Sequence, residues 1–120
     1  MDSVWHTADF YCPQMEGLTV AAEICEDLWV PQPPSITHAI AGANVIVNLS
    51  ASDEITGKDS YRRNLVGGQS ARLVCGYIYA DAGEGESSTD LVFAAHNLIA
   101  ENGTILTQSK RFENEIVTAD

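Results

Sequence analysis

Positive charge is scarce in this sequence. Lys and Arg total 6 against 17 Asp and Glu, a formal net charge of −11 at pH 7. A nucleic-acid partner needs a Lys/Arg surface for its phosphates, so the balance argues against one. It argues equally against a basic helix lying on a membrane. Cysteine is scarce too: Cys12, Cys25 and Cys75 are odd in number and widely spaced. Without a Cys-x-x-Cys pair there is no zinc knuckle or dithiol motif, and a disulfide framework is not expected. His6, His38 and His96 lack metal-ligand spacing, so no metal site is expected. Met1–His6 has no basic segment followed by an apolar run, which excludes a signal peptide there. The apolar stretches stay under ten residues, far short of a membrane span. A reducing, cytoplasmic setting fits these absences, and the surplus of acids is read as solubility.

What is present suits a small α/β unit. The 120 residues are 45% hydrophobic, enough for a modest core. Residues 1–16 carry little pattern and read as a loop or an unassigned segment. Leu18–Ile24 is a nearly continuous apolar run after Gly17, the pattern of a strand buried on both faces. It stops at Cys25-Glu26-Asp27, and Pro31, Pro33 and Pro34 forbid a central strand or long helix beyond. Ser35–Ala43 is expected to be a short helix with Ser35 as its N-cap. Asn44–Leu49 repeats the buried-strand pattern, which gives a βαβ cue. Lys58–Val74 reads as a helix, with Leu65, Val66, Leu73 and Val74 inward and Arg62, Arg63 and Arg72 toward solvent or acidic partners. Tyr77–Ala80 is a third strand, and Asp81–Thr89 a loop by composition. Leu91–Ala100 and Thr104–Gln108 flank Asn102-Gly103, the strongest short hairpin signal, because a type I′ turn needs positive φ at both central residues.

Cys25 is the sharpest chemical candidate. A nucleophile at the C-terminal end of a strand stands at the sheet edge where α/β proteins place their sites. Backbone N–H groups just after it can form an oxyanion hole. The plain alternative is a small buried thiol that only packs. Glu26 and Asp27 follow it, and two carboxylates beside a thiol disfavour the thiolate, so a cation or base must come from elsewhere. Ser50 and Ser52 end the next strand and fall on the same edge. Lys58 lies where it can meet a carboxylate. His96 reads as a satisfied core or rim histidine, and Cys12 and Cys75 as packing residues.

Four stretches, in order, carry a family resemblance. They are Ala22-Glu23-Ile24-Cys25-Glu26-Asp27-Leu28-Trp29-Val30-Pro31, Asn48-Leu49-Ser50-Ala51-Ser52, Gln69-Ser70-Ala71-Arg72, and Gly83-Glu84-Gly85-Glu86-Ser87-Ser88-Thr89-Asp90-Leu91-Val92-Phe93, which runs on into His96–Gly103. Together they resemble the nitrilase superfamily, and more narrowly the glutaminase (carbon–nitrogen hydrolase) domain of glutamine-dependent NAD synthetases. The resemblance covers residues 17–112, leaving 1–16 unassigned and 113–120 as a linker or open end. It implies an α/β fold, half of a four-layer α-β-β-α sandwich.

The resemblance also implies chemistry. A Cys attacks the side-chain amide of glutamine, a Glu acts as general base and acid, and a Lys helps hold the oxyanion. Carried over, Cys25 is the nucleophile. Glu26 supplies an oxyanion N–H and a carboxylate for the substrate amino group. Trp29 is a pocket wall, and Ser52 binds substrate. Lys58 stands where relatives carry Arg and would meet the substrate carboxylate, without the bidentate fork. In the family the Glu and Lys precede the Cys by long stretches. Only 24 residues precede Cys25, with no Lys or Arg among them. The expectation is a fragment with an incomplete triad, inactive alone, whose partners are glutamine, the other half of the domain and a synthetase domain in a homo-oligomeric parent. No cofactor belongs to this segment; ATP and Mg belong to the synthetase domain, whose Ser-Gly-Gly-x-Asp-Ser loop is not in these residues. Two alternatives stand: another nitrilase-branch amidase, and a non-catalytic interaction module on the same fold.

Overall fold

The computed structural model describes residues 9–83 and 93–120. Strand β1 (Asp9–Tyr11) is followed by β2 (Thr19–Ile24), a 3-10 turn (Cys25–Trp29), helix α1 (Pro34–Ile40), β3 (Val45–Ser50), α2 (Lys58–Leu73), β4 (Gly76–Asp81), β5 (Leu98–Glu101) and β6 (Thr104–Gln108). All six strands form one sheet in sequential order. β2, β3 and β4 are parallel, joined by α1 and α2, while β1, β5 and β6 pair antiparallel with their neighbours. The βαβ cue is therefore realised twice. No helix among the described residues is long and apolar enough to cross a membrane.

Burial alternates along the strands because successive side chains point to opposite faces. Ala21, Ile46, Tyr77, Tyr79, Leu98 and Ala100 point to one face and form the core with Leu28 and Val66. The other face carries Ala22, Ile24, Leu49, Ile78 and Ala80, all exposed, with Ile24 at 63% and Leu49 at 60%. Among the described residues, the runs ending at Ile24 and Leu49 are thus covered on one face only. Their outward residues are as apolar as a buried strand's, and no described segment covers them. The described residues form two layers, helices over a sheet.

Several expectations change in detail. Pro33, not Ser35, precedes the first turn of α1. Ser35 is buried, with its N–H donated to Glu23 Oε2 (2.9 Å) and its hydroxyl accepting from Gln69. Val74 faces outward, because the chain leaves α2 there through a left-handed residue (φ 51°). Arg63 and Arg72 are exposed as expected, whereas Arg62 is wholly buried beside an acid. Residues 9–11, read as loop, form the antiparallel edge strand β1. Of the expected strand Leu91–Ala100, β5 takes only the residues from Leu98 on, Phe93 makes an isolated bridge to Asp53, and Leu91 and Val92 lie outside the described residues. The Asn102-Gly103 hairpin is present, with φ of 48° and 90° at the two residues. Residues 84–92, which hold most of the acidic loop and much of the fourth motif, lie outside the described residues.

Candidate active site

β2 runs parallel beside β3, and both strands end at one edge, with Ile24 opposite Leu49. The turn after β2 begins at Cys25 in the left-handed region (φ 48°), an uncommon conformation for a residue with a Cβ. Two side chains hold that turn. Asp27 Oδ2 accepts the Ile24 N–H at 2.8 Å. Asn48, buried on β3, accepts the Cys25 N–H through Oδ1 (2.9 Å) and donates through Nδ2 to the Cys25 carbonyl (3.4 Å).

Asn48 is itself fixed from behind. Its Nδ2 donates to Tyr77 Oη (3.1 Å), and the Tyr77 hydroxyl donates to Glu23 Oε1 (2.5 Å). Burial, reinforced by the Glu23 carboxylate, pushes the Tyr77 phenol far up, so it stays a donor. Glu23 accepts from the Ser35 N–H, and Ser35 accepts from Gln69 of α2. A continuous set of hydrogen bonds therefore runs from α2 through the core to the backbone of Cys25.

The thiol side opens on a cleft of about 290 Å³ lined by Cys25, Glu26, Trp29, Ser52, Asp53 and Lys58, among others. The five residues carried over from the resemblance, Cys25, Glu26, Trp29, Ser52 and Lys58, all line it, whereas Ser50 and Asp27 do not. Glu26 is exposed, while Cys25, Trp29 and Lys58 are half-buried. Lys58 Nζ donates to Asp53 Oδ1 (2.5 Å) and lies 5.3 Å from the centroid of the Trp29 ring. Trp29 is in turn 5.1 Å from Tyr61, centroid to centroid. The hydrogen bond from Lys58, and then its charge, hold the Asp53 carboxyl below the usual range.

Ser52 is buried at the cleft floor. Its N–H donates to Asp81 Oδ1 (2.9 Å), and its hydroxyl accepts from Arg62 Nη2 (3.4 Å). Arg62 is 0% exposed, 3.6 Å from Glu54 and 2.8 Å from His96 Nδ1. Because Arg62 only donates, His96 Nδ1 must accept, and the ring proton sits on Nε2, facing Gln108 Oε1 at 3.0 Å. Burial holds His96 below its ordinary pKa and raises Asp81 above its own. His96 is thus a satisfied buried histidine, as its sequence context suggested. Cys75 is buried, with burial pushing its thiol up to about 11. Among the described residues no group of three or more His, Cys, Asp and Glu could hold a metal ion.

Sequence reasoning missed Asn48, Tyr77, Glu23, Asp53 and Arg62. Asn48 and Glu23 interrupt strands that are otherwise apolar at those positions, which was the available signal. Nothing local marks Arg62 as the buried one of the three arginines of α2.

A glutamine-dependent NAD(+) synthetase of Mycobacterium tuberculosis is 47% identical over 103 residues, covering 86% of this chain and 15% of its own length. The chain is similar to one segment of glutamine-dependent NAD(+) synthetases. A crystal structure of such a synthetase from Cytophaga hutchinsonii superposes with a TM-score of 0.70 at 28% identity, over 88% of this chain and 16% of that one. An amidase of the nitrilase superfamily from Nesterenkonia gives 0.72 at 17% identity, over 88% of this chain and 37% of that one, a likeness of fold alone. The fold is therefore part of a nitrilase-type domain, and the chain spans about a sixth of the synthetases it matches. No family model matches the chain.

Proposed function

We propose that this chain carries the nucleophile half of a glutamine amidohydrolase site. The observation that carries the reading is the placement of Cys25: a strand-end thiol in a left-handed turn, facing a cleft shared with Glu26, Trp29, Ser52 and Lys58. The Cys25 thiolate attacks the side-chain amide carbon of glutamine, ammonia leaves, and water hydrolyses the thioester to glutamate. Asn48 already takes the Cys25 N–H, so the oxyanion is assigned to the Glu26 N–H. The Glu26 carboxylate meets the substrate amino group and Lys58 its carboxylate. Ser52, held by Arg62, borders the substrate, and Trp29 walls the pocket while supporting Lys58.

Among the described residues of the cleft, the family's general base Glu and oxyanion Lys have no counterpart. Glu26 and Asp53 are its acids, and Lys58 is tied to Asp53. Both absent groups are assigned to the other half of the domain, which also covers the apolar sheet face at Ile24, Leu49 and Ile78. Amidation of nicotinic acid adenine dinucleotide to NAD, with its ATP and Mg, belongs to a synthetase portion outside these 120 residues.

The test is reconstitution. Ammonia release from glutamine is expected when the chain is mixed with the N-terminal half of a relative's domain, and is lost with Cys25→Ser. Release by the chain alone would contradict the incomplete triad. Silence of a folded mixture would contradict the glutaminase reading.

A further inference from the structure

The Cys25 sulfur has a hydrogen-bond partner that the proposed chemistry does not use. Ser50 Oγ lies 3.4 Å from Cys25 Sγ, in donor geometry, and 2.6 Å from Tyr79 Oη. Ser50 is 9% exposed and Tyr79 0%. Each hydroxyl has one proton. If Ser50 gives its proton to the sulfur, Tyr79 must give its own to Ser50. Burial raises the Tyr79 phenol, which keeps it protonated and able to donate.

We infer that Ser50 is a further catalytic residue of this site, donating to the Cys25 thiolate, with Tyr79 as the positioning residue that fixes the direction of that donation. The inference rests on Cys25 being the nucleophile. The charges around the sulfur show the need. Two acids follow Cys25 on the turn: Glu26, which is exposed, and Asp27, whose carboxylate accepts the Ile24 N–H. From the end of β3 comes Asp53, and from α2 Lys58, already bonded to it. Arg62 faces Ser52 and Glu54, and Asp81 of β4 accepts from Ser52 and His96. Lys58, which lines the cleft with Cys25, is paired with Asp53, and the hydrogen-bond donor recorded on the sulfur is the Ser50 hydroxyl, which carries no charge. A hydrogen bond to a charged acceptor is stronger than one between neutral groups, so Ser50 binds the thiolate more tightly than the thiol.

The experiment follows iodoacetamide alkylation of the full chain by peptide mass spectrometry across pH. Cys12, half-buried like Cys25, serves as the internal control, and buried Cys75 reports on folding. Ser50→Ala is expected to slow Cys25 alkylation about three-fold near neutral pH, because the thiolate fraction falls further than intrinsic nucleophilicity rises. At strongly alkaline pH the variant should equal or overtake the native chain, and Ser50→Thr should restore native behaviour. Tyr79→Phe should shift the profile in the same direction by less, and it carries the test if Cys75 becomes reactive in Ser50→Ala. Native rates at every pH in both folded variants would overturn the inference. So would a change that is the same at every pH, since that marks access, not ionisation. The reagent does not resemble glutamine, so this outcome is independent of whether Cys25 hydrolyses glutamine.

Discussion

The carboxamide of Asn48 brackets the backbone of Cys25, with Oδ1 on its N–H at 2.9 Å and Nδ2 toward its carbonyl at 3.4 Å. One side chain on β3 thus holds the left-handed residue that ends β2. Asn48→Ala would remove the partner of the Cys25 N–H and carbonyl and the donor to the Tyr77 hydroxyl. The expected cost is about 1–3 kcal/mol of stability, measured by urea unfolding. Asn48→Asp keeps the acceptor for the Cys25 N–H but sets a second carboxylate near Glu23. It should be no better than Ala at neutral pH and recover as the acid protonates.

Arg62 is the single buried cation that joins Glu54, Ser52 and His96. Arg62→Ala should cost about 3–5 kcal/mol, since it strands a buried carboxylate and an imidazole acceptor. Arg63→Ala, on the exposed side of the same helix, should cost under about 0.5 kcal/mol. Equal effects at the two positions would contradict the buried network.

His96 gives the fold a pH dependence of fixed sign. Its folded pKa is depressed, chiefly by burial, below the ordinary 6.5. Its contribution is therefore fully present above that value and is lost as the pH falls below 6.5, when the unfolded chain takes up a proton that the folded chain resists. Asp81, whose folded pKa is raised by burial, acts in the opposite sense and offsets part of the loss at lower pH. Unfolding free energy should fall as the solution is acidified below 6.5, and His96→Gln should flatten that slope. An unchanged slope in the variant would remove His96 as its source.

The sheet face of Ile24, Leu49 and Ile78 is exposed and apolar. Such a patch favours association or weak stability. Sedimentation should show concentration-dependent association, and Leu49→Lys with Ile78→Lys should reduce it. A sharp, cooperative thermal transition of a dilute native monomer would argue against a face built to be covered.

The βαβ order, the Asn102-Gly103 hairpin and the position of Cys25 were legible because each depends on local pattern: apolar runs, a turn dipeptide, a strand end. Strand ends alone put Ser52 on the edge of Cys25, while Trp29 and Lys58 were joined to it only through the resemblance, since no spacing rule links them. Long-range polar partners were not legible. Arg62 meets His96, 34 positions away, and Tyr77 meets Glu23, 54 positions away, through parallel strand register. One-sided burial was also hidden, because a strand waiting for a second layer has the same apolar sequence as one already enclosed.

The most direct measurement is mass spectrometry after exposure to 6-diazo-5-oxo-norleucine, a glutamine mimic that alkylates amidohydrolase cysteines. It would be run on the chain alone and with an N-terminal half from a relative. Label on Cys25 only in the folded mixture is the expected result for a glutamine site divided between two halves. Label on the chain alone would contradict the missing triad. No label in a folded mixture would contradict the glutaminase reading itself.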